Sequence, residues 1–347
     1  MRGTIRIGTR TLGAGRPLFL MAECGVTCNY DMAITRDLID AVREAGADAI
    51  KFIFWFPDEL MSDRTIPYEY ETVDGPRTEN MYAMLQKLRF TFDQWVEVKR
   101  YADERGVVMF STVNTASGIE WAEKLGLDAY KLSSWDYHCP ALWRRIASLG
   151  KPMLVDTGPV NTLEVAAALQ LMRDEGNDQA VLVHCPHADR PDEINMRSIP
   201  YMREAFGTLV GFSSKGQESE TDITAVALGA VTIEKRLTMS RRLPGHHHIL
   251  SLEPKEFTAW VRMIRDVQQA LGVSDLRPSP ADLGERWRSF RRLVAARDLE
   301  AGTRITADML EAKRPEAGVS PEWLEFFVGR ELKRDLRENE AIRWDDV

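Results

Sequence analysis

The chain has 347 residues, a formal net charge of −8, 44% hydrophobic residues and 9% aromatic residues, enough for one large domain of roughly 250 residues and a small one. The acidic balance argues against nonspecific nucleic-acid binding, because that affinity comes from Lys and Arg neutralising phosphates. No run of about 18 apolar residues occurs and the Arg-rich N-terminus lacks a signal-peptide core, so the reading is a cytoplasmic protein with no membrane span.

Residues 1–17 contain the Gly-, Thr- and Arg-rich stretch TIRIGTRTLGAG, with a turn signal at Gly13 to Gly15, and predict a hairpin plugging the bottom of the domain that follows. Eight short apolar runs come next: FLMAECGV (19–26), AIKFIFW (49–55), VVMFSTV (107–113), AYKLSS (129–134), PMLVDTG (152–158), AVLVHCP (180–186), LVGFSSK (209–215) and AVTIEKRL (230–237). Continuous apolar runs of this length suit strands covered on both faces, and helix-like stretches between them make neighbours parallel. Eight such units predict an α/β fold, a (β/α)8 TIM barrel.

The helical stretches include ITRDLIDAVREAG after the first strand and NMYAMLQKLRFTFDQWVEVKRYADERG after the second; several end in Gly, as a left-handed C-cap requires. The connection from Phe56 to about Thr78 is long and holds Pro57, Pro67 and Pro76; such a loop at a barrel mouth shapes or covers a site. A helix, EFTAWVRMIRDVQQALG, closes the barrel near residue 272. The Pro- and Asp-rich segment VSDLRPSPADLGE reads as a linker over 273–285, and 286–347 reads as a small β-rich domain. The four cysteines, Cys24, Cys28, Cys139 and Cys185, are scattered along the chain and are expected as reduced thiols.

In a barrel of this kind the reactive groups sit where strands end and loops begin. Glu23, Lys51, Ser111, Lys131, Ser134, Asp156, His184, Ser213, Lys215, Glu234 and Arg236 are therefore expected at one mouth. Basic groups focused at one mouth of an acidic protein suit a small anionic ligand.

The motifs AECGVTCNYD, GADAIKF, YKLSS, DTG, LVHCP, GFSSK, GAVTIEKR, PGHHHILSLEP, RRLVAARDLEAGTRIT and KRPEAGV, in this order, resemble those of the sialic acid synthases and related nonulosonic acid synthases. The resemblance implies a TIM barrel followed by an antifreeze-like SAF domain. It also implies condensation of phosphoenolpyruvate with the aldehyde of an N-acylated hexosamine, and a homodimer whose small domain reaches the partner barrel. On the matching positions, Lys51, Lys131, Ser134 and Ser213 would contact phosphoenolpyruvate, Glu23, Glu234 and Asp136 would handle protons, and Arg314 would reach the sugar. Ser111 is a further substrate-side candidate.

Two positions depart from the family in a way that changes the chemistry. Where the family carries its two metal-binding histidines, this chain has Lys215 and Arg236, and neither offers a lone pair to a metal at neutral pH. The expectation is a synthase with no metal and no cofactor, in which the two cations donate hydrogen bonds to the aldehyde oxygen that a metal would polarise. On the substrate side, Asp156 replaces a serine and His187 replaces an asparagine. Asp189 and Arg190 follow where a tyrosine is usual, and His247 replaces an aspartate, so the acceptor sugar is expected to differ. The competing expectations are a new metal site built from Cys28, His187 and His247, and a diverged relative that binds a sugar acid, or acts as lyase or isomerase, without condensing phosphoenolpyruvate.

Overall fold

Each apolar run forms one parallel strand: β1 (Phe19–Glu23), β2 (Ala49–Ile53), β3 (Val108–Thr112), β4 (Tyr130–Leu132), β5 (Met153–Asp156), β6 (Ala180–His184), β7 (Leu209–Ser214) and β8 (Thr232–Arg236). In this computed structural model, which describes residues 3–188, 190–316 and 318–347, the eight strands pair in chain order into a closed barrel. Closure comes from β8 against β1, with Glu234 opposite Met21 and Arg236 opposite Glu23. The expected (β/α)8 architecture is present. The chain divides into two compact units, residues 1–272 and 273–347.

Side chains alternate across a strand, so parity decides which groups enter the barrel. Phe19, Met21, Ala49, Phe110, Leu154, Val181 and Val183 fill the interior and pack with Ile5, Ile7 and Leu12 of the hairpin formed by Thr4–Ile7 and Arg10–Gly13. A larger shell, including Leu20, Ile50, Phe52, Trp95, Trp143 and Ile264, lies between strands and helices. Asp48, just before β2, fastens several segments: it accepts from Leu20 N at 2.9 Å and pairs with Arg10 at 3.1 Å and Arg265 at 2.7 Å. Helix α1 (Met32–Ala45) starts where the Asp31 carboxylate accepts from Ala33 N and Ile34 N, and stops at Gly46 with φ 76°, the left-handed conformation that glycine adopts without strain.

The stretch after β2 differs from its expectation. It folds as two helices, Met81–Lys87 and Phe92–Arg105, because Thr91 and Gln94 form a capping box that restarts the helix. Before them, Pro67–Thr72 pairs with Gly75–Asn80 in an antiparallel hairpin joined by Val73 and Asp74. The alternation Tyr68-Glu69-Tyr70-Glu71 ahead of Asp74-Gly75 is its sequence signal.

The second unit opens with a helix, Pro280–Ser289, inside and beyond the segment read as linker, because Ser279 and Asp282 form a capping box with Pro280 in the first turn. Strand Arg292–Ala295 pairs antiparallel with Leu310–Lys313, over a core that includes Leu293, Ile305, Leu310, Phe327, Leu336 and Ile342. Among the described residues, no helix is long and apolar enough to cross a membrane, and all four cysteines are free.

Candidate active site

A buried ion network lies at the C-terminal mouth of the barrel. The Lys131 ammonium, with no exposed side-chain surface, lies 2.7 Å from Glu234 Oε2 and 2.8 Å from Asp156 Oδ1. Lys51 lies 3.2 Å from Glu234 Oε1 and contacts Glu23 Oε2. Gly25 N donates to Glu23 Oε1 at 2.6 Å, and Ser213 Oγ donates to Glu234 Oε1 at 3.2 Å. Five strands thus deliver two lysines and three carboxylates into one cluster, and a sixth, β7, adds the hydroxyl.

The electrostatics divide the carboxylates. Burial pushes the Glu234 carboxyl up, but Lys131 and Lys51 outweigh it and hold the group down at about 2. Glu234 is therefore held ionised between the two lysines. For Lys131 burial favours the neutral form, and Asp156 and Glu234 overcome it and raise the ammonium. Lys51 is raised in the same way, with Glu23 and Glu234 outweighing burial. Asp156 is raised by burial, against the pull of Lys131. Asp136, in the 3-10 turn after β4, is raised by burial to about 6, and its Oδ2 is buried with no hydrogen-bond partner. Asp136 is the carboxylate suited to carrying a proton near neutrality.

Lys215 and Arg236 are the next inward-facing positions beyond Ser213 and Glu234. The Lys215 ammonium donates to the His187 carbonyl at 3.0 Å, and Arg236 Nη1 donates to the Lys215 carbonyl. Both side chains are half-buried, and Arg236 Nε is buried without a hydrogen-bond partner. Their charge reaches several rings. After burial, Lys215 and Arg236 depress His187, and Arg236 with His246 depresses His247, so both imidazoles are kept neutral. His247 takes φ 70°. Gly158 leaves room between two site residues: a Cβ there would lie 2.7 Å from His187 Nε2 and 2.8 Å from Ser134 Oγ.

Not every expected site residue is part of the ion network. Ser111 is wholly buried on the outer face of β3, with its hydroxyl donating to the Phe52 and Thr112 carbonyls. His184 also faces away from the cluster, with Nε2 2.7 Å from the Ile194 carbonyl. Arg190 pairs with Asp192 at 2.6 Å on the surface, and Arg314 is exposed in the second unit. Asp189 lies outside the described residues. Cys28 is fully buried in the shell outside the strands, which removes the expected Cys28–His187–His247 metal site. Among the described residues, no group of three or more His, Cys, Asp or Glu is arranged to hold a metal. With Lys215 and Arg236 at the two histidine positions, the donor set does not fit the divalent ion that the family resemblance implies.

Sequence reasoning missed three residues at the mouth. Cys185, just past β6, has its thiol bonded with Ser213 beside Asp156 and Lys131; burial pushes it up to about 12, so it is a neutral wall. Strand parity through Val181 and Val183 is the signal that points it inward. Trp135, 70% exposed, faces His187 with ring centroids 5.0 Å apart. Tyr68 of the loop hairpin packs against His246 at 5.2 Å and feels the charge of Arg236, which brings the long loop over the mouth.

Comparison with known proteins adds a family. The model of the NeuB family matches residues 38–275 and that of the SAF domain residues 290–347. The chain is 28% identical over 346 residues to N,N'-diacetyllegionaminic acid synthase of Legionella pneumophila, covering 98% of this chain and 97% of the relative. It is 26% identical to human N-acetylneuraminate-9-phosphate synthase, covering 96% and 93%. Among solved structures, the spore coat polysaccharide biosynthesis protein of Bacillus subtilis superposes with a TM-score of 0.67 at 26% identity, covering 99% of both chains.

Proposed function

The chain belongs to the NeuB family, and from that premise we propose that it joins phosphoenolpyruvate to the aldehyde of a sugar or other polyol, releasing phosphate, with fixed cations in place of a divalent metal. The product is a 2-keto sugar acid. The observation that carries the reading is the convergence of Lys51, Lys131, Lys215 and Arg236 on one barrel mouth around buried carboxylates. Relatives named as synthases of N,N'-diacetyllegionaminic acid and N-acetylneuraminate 9-phosphate along nearly the whole chain support it.

C3 of phosphoenolpyruvate attacks the aldehyde carbon, and the developing alkoxide is stabilised by N–H donors of Lys215 and Arg236 before it takes a proton. Water adds to C2 and gives up a proton to a carboxylate. The C2–O bond to phosphate then breaks, leaving a ketone and inorganic phosphate. Lys51 and Lys131 hold the donor's anionic groups, and Glu234 fixes both lysines. Asp136 receives the proton, because its raised carboxyl is ionised just above pH 6 and still basic.

Incubation with phosphoenolpyruvate and a panel of aldoses is expected to release phosphate; no release with any acceptor contradicts the reading. With the accepted aldose, kcat/KM falls as pH drops through about 6, where Asp136 takes up its proton. In Asp136→Asn that acidic limb disappears along with most of the rate. An unchanged limb would assign the base elsewhere. The same raised group gives a sign for stability: its contribution is present at low pH and lost as pH rises through about 6, so the Asn variant gains stability only on the alkaline side.

A second reading, a relative that binds a sugar acid or acts as lyase or isomerase, draws on one contact. Lys131 already faces two carboxylates, Asp156 and Glu234, so its charge is compensated before a ligand arrives. Calorimetry separates the two: a protein of the second kind takes up a sugar acid and leaves phosphoenolpyruvate unbound.

A further inference from the structure

Asp156 stands in the buried ion network at the barrel mouth, where the donor reading puts the phosphoryl group. Its Oδ1 is 2.8 Å from Lys131 Nζ, its side chain is 14% exposed, and Lys131 is wholly buried. A phosphoryl group reaching Lys131 therefore comes within a few ångströms of the Asp156 carboxylate. Two anions that close repel strongly at the effective dielectric of a protein interior. One proton between them changes the sign, because carboxylate and phosphoryl oxygen then share a charge-assisted hydrogen bond.

Resting on the donor reading above, we propose that Asp156 makes this pocket selective for oxyanions that carry an ionisable hydrogen. Phosphate monoesters and inorganic phosphate qualify, and sulfate is refused. A phosphate monoester loses its second proton near pH about 6, so the hydrogen is available around neutrality. Sulfate is fully ionised there and brings none. A serine hydroxyl at this position would donate to either anion and could not tell them apart. The groups facing Asp156 are Lys131 of β4, Lys51 of β2, Glu234 of β8, Cys185 after β6 and Tyr137 after β4. Burial and Glu234 oppose its ionised form and Lys131 and Lys51 favour it, whereas burial keeps the thiol and the phenol protonated. The hydrogen in the shared bond thus comes with the ligand or is taken from solvent as the ligand binds.

The test is calorimetry on the full-length protein with phosphoenolpyruvate, inorganic phosphate and sulfate at pH 6.5 and 8, in two buffers of different ionisation enthalpy. Wild type is expected to favour phosphate by about 30-fold, the scale of one hydrogen bond to a charged group. That preference persists at pH 8, where inorganic phosphate still carries one hydrogen. Asp156→Ser and Asp156→Asn are expected to bind the two anions within about 3-fold of each other, with no pH trend in the ratio. Either variant suffices if thermal unfolding shows that the other is misfolded. Equal binding of sulfate and phosphate by wild type overturns the proposal, as does a preference that survives in a folded variant. If phosphoenolpyruvate and phosphate bind none of the proteins, the donor reading itself fails and takes this proposal with it. If both bind without discrimination, only the proposal fails.

Discussion

Replacing Lys131 with methionine is expected to destabilise the barrel unit by about 3–5 kcal/mol, the cost of breaking a buried charge pair by removing one partner. The reason is local. Lys131 has no exposed side-chain surface and stands between Asp156 and Glu234. Without it, two buried carboxylates face each other with Lys51 as their remaining close cation. Desolvated charge of one sign is the expensive case. Chemical denaturation monitored by circular dichroism measures the loss; a change under about 1 kcal/mol would show that solvent reaches the network and screens it. Combining Lys131→Met with Glu234→Gln and Asp156→Asn is expected to restore much of the stability, since the charges vanish together, while turnover stays lost. The pH dependence has a definite sign. Glu234 is held at about 2, below the ordinary glutamate value, so its contribution is present above that ordinary value and drains away as pH falls towards 2. Acid unfolding of Glu234→Gln should lack that component.

Removing the guanidinium in Arg236→Ala is expected to lower kcat by about 10²–10³-fold, the effect of deleting one preorganised oxyanion donor, with a much smaller change in KM for phosphoenolpyruvate. Arg236 reaches the mouth from the end of β8, two residues beyond Glu234, and its charge is felt by His187, His247 and Tyr68. One of its N–H groups is engaged with the Lys215 carbonyl, and the half-buried guanidinium has further N–H groups that the proposed reaction turns to a substrate oxygen. Steady-state kinetics with phosphate release as readout decide it. A loss of tenfold or less, or a loss expressed only in KM, would assign Arg236 to ground-state binding. Added manganese or magnesium is expected to leave the variant unrescued, because alanine supplies no ligand.

The barrel was legible because each strand is a continuous apolar run with a polar end, and burial on both faces leaves that signature. The lysines and carboxylates of the site were legible for the same reason: a charged residue closing a buried strand has nowhere to go but the mouth. What failed was parity. Ser111 and His184 also close apolar runs, yet Phe110 and Val183 take the inward positions and turn both outward. The same reasoning run forward would have found Cys185. Distances across loops were beyond reach, so Cys28 was placed at the mouth when it belongs to the outer shell. The network's internal bonding was invisible as well. A list of strand-end charges does not say that Glu234 is shared between two lysines and so held ionised. Nor did the stretch Phe56–Thr78 read as a hairpin, although its alternating tyrosines carry the pattern.

In the proposed reaction, permanent side-chain charge activates the acceptor aldehyde where relatives are expected to use an ion. The most direct test is phosphate release from phosphoenolpyruvate and the accepted aldose after exhaustive dialysis against a chelator, with the chelator kept in the assay. An undiminished rate that added divalent metals do not raise is expected. A rate that falls to background under chelation and returns with stoichiometric metal would contradict it.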